Sequence, residues 1–294
     1  MFPTAFRIGD FEVRWYGILI TLGILLAIAF SWKRAKFYGL RRDDLLDLGV
    51  MIILVGIIGA RLTYVLTNNI GYWFAHPLEI FQLQMQGLSF IGIIIFNIPA
   101  IAIFAKIRKL DFWRILDLSA PAIPIGYFFG RLGCFMNGCC YGPVNSTCGI
   151  VMQGTNTLNP YFPTQLLNAL HAVVMFVVIY WIANKFKIKK GLLFTLFLGL
   201  YSLGSFGSEF LRVDPGHESL WGTPFNSAQW GNLGILALSV ALFFILRKGS
   251  EFSKISPEEI AAIEAADAPK PKVDRKNTPQ NLSEEEPKEE EKKE

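Results

Sequence analysis

The sequence predicts an all-α integral membrane protein of about seven transmembrane helices, its N-terminus periplasmic and its C-terminus cytoplasmic. Three observations predict it. Long apolar runs fill most of the first 246 residues, and the mean hydropathy is +0.38. That leaves too little polar sequence to coat a soluble core, a coat that lipid makes unnecessary. Trp15, Trp32, Trp73 and Trp230 stand at the ends of apolar runs, where a headgroup belt places them. Lysine and arginine also recur in every second connecting segment.

The first run, Trp15–Trp32, follows a segment without a basic cluster, and no small-residue cleavage pattern comes after it. It is therefore expected to persist as a helix. The further runs are Leu46–Leu66, Leu88–Ala105, Ile115–Phe135, Leu166–Ala183, Leu192–Leu211 and Trp230–Leu246. At 1.5 Å per residue each is of the right order to cross a ~30 Å hydrocarbon layer. The third contains Asn97 and Pro99, which a membrane helix tolerates when neighbours satisfy the freed carbonyl.

The connections orient these runs. Lys33, Arg34, Lys36, Arg41 and Arg42 follow the first run, and Lys106, Arg108, Lys109 and Arg114 the third. Lys185, Lys187, Lys189 and Lys190 follow the fifth, and Arg247 and Lys248 the seventh. Thr67–Gly87 and Asn137–Gln165 carry no Lys or Arg, and Arg212–Gln229 carries only Arg212. All four clusters agree under the positive-inside rule. Residues 1–248 are thus expected to form the membrane domain, and 249–294 a charged, largely disordered cytoplasmic tail. Residues 251–294 net −5 against +9 for the rest. Ser256–Ala266 is expected to hold a short helix on a Ser-Pro-Glu-Glu start. Beyond it, Pro, Lys and Glu dominate.

Ionised residues interrupt the second, fourth and sixth runs. Arg61, Arg131 and Glu209 lie near the ends of those runs, and Arg212 sits just past the sixth. With the orientation above, all fall toward the outer leaflet. A charge in hydrocarbon costs at least ~2.5–3.5 kcal/mol, so each needs a partner or a wet cavity. Glu209 is expected to pair with Arg61 or Arg131. Three arginines against one glutamate leave positive charge over, which suits a phosphodiester headgroup that arginine grips with two parallel hydrogen bonds. Tyr16, Ser89, Asn137, Gln165, Gln229 and Asn232 belong to the same outer zone.

All four cysteines, Cys134, Cys139, Cys140 and Cys148, fall within fifteen residues of an outer segment. One or two disulfide staples is the first reading there. A four-thiolate metal site is the second, although the adjacent Cys139–Cys140 pair does not match zinc spacings. A redox pair is the third, although no C-x-x-C occurs. His76, His171 and His217 have no ligand partner at helical spacing and read as surface or packing residues, with a general-base role left open.

Gly130-Arg131-Leu132-Gly133-Cys134-Phe135-Met136-Asn137-Gly138-Cys139-Cys140-Tyr141-Gly142 resembles the signature of the bacterial phosphatidylglycerol–prolipoprotein diacylglyceryl transferase family, commonly G-R-x-G-N-F-x-N-x-E-x-x-G. Arg14-Trp15-Tyr16-Gly17, Gly59-Ala60-Arg61-Leu62-Thr63-Tyr64, Gly87-Leu88-Ser89-Phe90, Pro163-Thr164-Gln165-Leu166 and Glu209-Phe210-Leu211-Arg212-Val213-Asp214 resemble its other motifs, in order. The resemblance covers about residues 8–246 and implies a multi-pass protein of the bacterial inner membrane. It also implies an activity: moving the diacylglyceryl group of phosphatidylglycerol to the lipobox cysteine of a preprolipoprotein, with no cofactor or metal. The partners implied are phosphatidylglycerol, lipobox segments and membrane lipids, without nucleic acid. Carried over residue by residue, Arg131, Glu209 and Tyr16 become catalytic candidates. Arg131, Asn137, Arg61, Arg212, Ser89 and Gln165 become substrate-binding candidates.

The sequence departs from that pattern at several positions. Ile91, Ser205, Phe162 and Asn168 stand where the family usually has His, Arg, His and Glu, and Cys134 and Cys139 replace the signature Asn and Glu. Two further readings stay open beside the transferase: a lipid-headgroup-binding paralogue without the chemistry, and a membrane thiol–disulfide oxidoreductase.

Overall fold

The computed structural model describes residues 3–9, 11–67, 76, 90–145, 147–152, 158–213 and 223–267. The chain opens with a hairpin of β1 (Thr4–Ile8) and β2 (Phe11–Arg14), which leads directly into α1 (Trp15–Arg34). A 3-10 turn, Ala35–Tyr38, precedes α2 (Arg42–Thr67). Next come α3 (Phe90–Arg108) and α4 (Phe112–Asn137). Two short strands, β3 (Ile150–Val151) and β4 (Pro160–Tyr161), pair antiparallel. Three long helices follow, α5 (Thr164–Lys185), α6 (Leu192–Glu209) and α7 (Ser227–Leu246), and then a short α8 (Pro257–Asp267).

A long helix thus lies in each of the seven apolar runs. Five of the helical stretches are long and apolar enough to cross a membrane: Trp15–Tyr38, Arg42–Leu66, Thr164–Lys185, Leu192–Glu209 and Ser227–Leu246. The two small β-pairs are additions to the all-α expectation, too short to leave a period-2 pattern. Ser89, His217 and residues beyond Asp267 lie outside the described residues.

Helix α4 is central. It packs against α1, α5 and α6, while α2 packs with α3 and α6 with α7. One core joins Tyr38, Leu40, Leu45, Leu48, Ile101, Ile115 and Leu118. A second joins Ala120 of α4 with Ala172, Met175 and Ile179 of α5 and Leu193 and Phe197 of α6. Small and polar residues sit between helices, among them Asn168, Thr195, Ser202, Ser205 and Ser239, all buried. The Ser239 hydroxyl donates to the Thr195 carbonyl at 2.8 Å, tying α7 to α6. Large apolar side chains point outward instead, such as Leu25, Leu54, Ile103, Val177 and Ile245. Packing through small residues with an apolar exterior is what lipid favours, since burying leucine from lipid gains little.

Asp117 pins the far end of this bundle. It is fully buried on α4, and its carboxylate accepts from Gly191 N–H at 2.7 Å, Phe194 N–H at 2.9 Å and the Ser253 hydroxyl at 2.6 Å. It thereby satisfies two of the orphan donors at the start of α6. It also holds the chain beyond α7. Residues 249–267 were expected to begin a solvated tail, yet Ser253 and Ile255 are buried and Ile255 N–H bonds to the Phe37 carbonyl at 3.0 Å. Composition alone hides this, because the packing rests on two side chains and on backbone bonds. The short helix expected over Ser256–Ala266 is α8.

Candidate functional site

The site is built where α4 ends. Gly138 closes the helix at φ 72°, a left-handed conformation that glycine adopts without steric cost. Its N–H bonds to the Phe135 carbonyl, and the Cys139 N–H bonds to the Cys134 carbonyl, both at 3.2 Å. This pair of bonds is a Schellman closure, which sets the residue after the glycine over the residue at the last helical turn. Here both residues are cysteines. Cys140 follows at φ 63°, a conformation that costs a non-glycine residue on the order of 1 kcal/mol. The Sγ atoms of Cys134, Cys139 and Cys140 consequently lie within 4.8 Å of one another.

The expected disulfide staples are not formed: none of the four cysteines is disulfide-bonded. Cys148 is exposed, its Sγ directed at Asn145 Oδ1 at 3.6 Å in a tight turn. Other contacts hold the loop. Gln165 Nε2 donates to the Cys139 carbonyl at 2.5 Å, and the Thr164 hydroxyl donates to the Cys140 carbonyl. Val213 N–H reaches the Tyr141 carbonyl at 3.2 Å, and Gly142 N–H the Phe162 carbonyl at 2.8 Å. The rings of Tyr141 and Tyr161 pack 4.6 Å apart.

Arg131 and Tyr16 border the thiols. Gly133 lets the Tyr16 ring lie directly on α4, since a Cβ there would meet Tyr16 Cδ2 at 3.0 Å. Tyr16 is within electrostatic reach of all three thiols and of Arg131. Arg131 is half-buried and lies near Cys134 and Cys140, with its guanidinium 4.9 Å from the centre of the Tyr127 ring. Among the described residues no carboxylate pairs with Arg131. Asn137 ends the helix with Nδ2 3.9 Å from Cys139 Sγ.

Glu209 pairs with Arg212, three residues on, rather than with Arg131. Its Oε1 accepts from Arg212 Nη1 at 2.8 Å and its Oε2 from Asn226 Nδ2 at 3.3 Å. Asn226 is itself locked in a capping box with Gln229 at the start of α7. Both residues of the ion pair are largely buried, and Arg212 lies within electrostatic reach of Cys140. Gln229 and Asn232 are buried in the first turns of α7, and Gln165 is fully buried with its Oε1 unpartnered among the described residues. Arg61 is buried on α2, its guanidinium 5.9 Å over the Tyr64 ring, in a different helix pair from Arg131. Ser89 falls outside the described residues.

Of the histidines, His171 is set between helices with Nε2 3.1 Å from the Leu200 carbonyl, and His76 is exposed. Sequence reasoning missed Tyr127, Thr164 and Asn226. Tyr127 had one signal, an aromatic one helical turn before an arginine. Asn226 had another, Asn followed three residues later by Gln at a helix start.

The arrangement can bind an anion. A half-buried guanidinium that no carboxylate among the described residues neutralises, with a tyrosine hydroxyl and an amide nearby, matches the needs of a phosphodiester.

A family model described as prolipoprotein diacylglyceryl transferase matches residues 3–245. The phosphatidylglycerol–prolipoprotein diacylglyceryl transferase of Clostridium kluyveri is 34% identical over 256 residues, spanning 85% of this chain and 98% of its own. The protein of the same name from Geobacter sulfurreducens is 33% identical over 252 residues, 84% of this chain and 96% of its own. The one from Clostridium botulinum strain Langeland is 32% identical over 256 residues, 83% and 96%.

Proposed function

Since this chain belongs to the prolipoprotein diacylglyceryl transferase family, we propose that it moves the diacylglyceryl group of phosphatidylglycerol onto the lipobox cysteine thiol of preprolipoproteins, using the site at the end of α4. The observation that carries the assignment to this site is Arg131, a guanidinium left without a carboxylate partner among the described residues. In the reaction the acceptor thiol gives its proton to solvent, its sulfur attacks the glyceryl carbon, the carbon–oxygen bond to phosphate breaks, and the oxygen leaves with that electron pair as glycerol phosphate. Arg131 binds the phosphate and offsets the charge that grows on it. Tyr16 and Asn137 line the same space and orient the headgroup. Glu209 does not act as a base here, because both its oxygens are engaged; it holds Arg212 beside the cysteine loop. Arg61, Ser89 and Gln165 are further substrate-binding candidates, the role that the family resemblance implies for them.

The seven long helices, in this reading, all cross the inner membrane, with the N-terminus and the cysteine loop on the periplasmic side. The alternating lysine and arginine clusters support that orientation, and it places Arg131 at headgroup depth. The test is direct. Purified protein mixed with phosphatidylglycerol vesicles and a lipobox peptide should release glycerol phosphate and add one diacylglyceryl mass to the peptide. A well-folded preparation that forms neither product overturns the reading.

A further inference from the structure

We propose that the end of the bundle opposite Arg131 holds a second lipid site, where an anionic phospholipid seats its phosphate among Arg34, Lys185, Lys187 and Lys254 and lays an acyl chain along α5. The site goes beyond the transfer reaction and stands on its own geometry. Only the leaflet, the inner one, rests on the orientation proposed above.

Two adjoining cavities carry it. One, of about 590 Å³, has Lys185 and Lys187 in one wall and Ser253, Lys254 and Ile255 in another, with Tyr38 also lining it. The other, of about 480 Å³, is an apolar groove of Phe176, Val177, Tyr180 and Trp181 on the outward face of α5. Asn184 and Lys185 border both, so the polar cavity continues into the groove. The Lys185 ammonium lies 5.0 Å from the centre of the Trp181 ring. A tryptophan and a lysine in the last turn of an apolar helix mark the headgroup level. Arg34 stands at the edge of both cavities. Its Nη2 donates to Asn184 Oδ1 at 2.7 Å, and its guanidinium is 5.0 Å from the centre of the Tyr180 ring. Along α1, Arg34 is about 27 Å from Tyr16, so this site is remote from Arg131.

The charges here are not neutralised by the protein. Among the described residues none of the four cations has a carboxylate partner: Glu251 is held by Lys190 and Arg114, and Glu259 by Ser256. Arg34 Nε is shielded from solvent and has no hydrogen-bond partner among the described residues. Lys254 is half-buried on a segment fixed by the Ser253 bond to Asp117 and the Ile255 bond to Phe37. That segment thus holds a cation in the cavity wall rather than letting it swing into water. Burial, and then the charge of Arg34, keep the Lys254 ammonium below its ordinary value. An anion between the two turns this repulsion into attraction. Basic pockets between helices on the inner side of a membrane suit lipid phosphates, and a phosphodiester meets several donors at once. The apolar groove beside the cations selects an anion that carries chains.

The test is native mass spectrometry of the full-length protein in detergent, with phosphatidylglycerol as the probe and phosphatidylcholine as the zwitterionic control. Arg34→Gln/Lys254→Gln should lose one retained equivalent of phosphatidylglycerol, its affinity weakened at least about tenfold. Arg131→Ala should keep that equivalent. Lys185→Gln/Lys187→Gln changes only exposed side chains and should weaken the same equivalent, which keeps the test valid if the first variant fails to fold. The melting temperature in lipid-free detergent checks folding in each. Unchanged retention in both double variants, loss of this equivalent in Arg131→Ala, or equal retention of phosphatidylcholine overturns the site. Displacement of the lipid by an equal concentration of glycerol phosphate assigns the cations to a free phosphate ester and overturns the lipid as occupant. None of these readouts needs transfer activity. Failure of this site is thus separable from failure of the transferase assignment, which the lipid-transfer assay judges.

Discussion

A cation recognises an anionic substrate only where the protein has not already neutralised it, and the two arginines near the cysteine loop differ in this respect. Arg212 is bonded to Glu209, which is bonded in turn to Asn226. Arg131 instead lies over the Tyr127 ring, which stabilises a guanidinium without cancelling its charge. The intramembrane charges were legible in the sequence because they interrupt apolar runs. Their partners were not, because the pairing of Glu209 with Arg212 depends on how the chain turns at the end of α6. Glu209→Ala should strand a buried guanidinium and cost on the order of 3 kcal/mol. A denaturant titration of the purified protein in mixed micelles checks this, and an unchanged midpoint contradicts it.

At the scale of elements, the helices follow from apolar length and their ends follow from caps. Asp111 caps α4 by accepting from Arg114 N–H at 3.1 Å, and it is also bonded by Lys190. Burial pushes its carboxyl up, but the Lys190 bond, the Arg114 N–H and the nearby positive charges outweigh this and hold it below its ordinary value. A depressed carboxylate contributes stability that is present above the ordinary carboxylate range and is lost as pH falls through the lower, folded value. Acidification below about pH 4 should therefore lower the melting temperature. Lys190→Met should flatten that dependence, and equal slopes in the two proteins contradict the account. Asp117 does more, since one carboxylate holds the start of α6 and the chain beyond α7. Asp117→Ala leaves Gly191 and Phe194 N–H groups buried without acceptors, at roughly 1–3 kcal/mol each. It should also expose the 249–256 segment to limited proteolysis, and a protease pattern identical to wild type contradicts that role. Sequence could not show the Cys139–Cys134 stacking, because it depends on the helix closure at Gly138.

For the whole molecule, the apolar exterior and the small, polar interior agree with a chain assembled in lipid. The positions of the long helices were readable from the sequence, since hydropathy acts over whole segments. The packed stretch around Ser253 and Ile255 was not, since it depends on single contacts to Asp117 and Phe37. The proposed orientation puts Cys148 outside. A membrane-impermeant maleimide should label it in intact spheroplasts, and labelling only after lysis contradicts that topology. Arg131 is the proposed phosphate-binding cation, and the transferase reading stands or falls with it. The most direct measurement is transfer of diacylglyceryl from phosphatidylglycerol to a lipobox peptide by the Arg131→Ala protein, with its melting temperature as the check on folding. A loss of at least about 100-fold in kcat/KM is expected, in a protein that still folds. Wild-type turnover by that variant would contradict it.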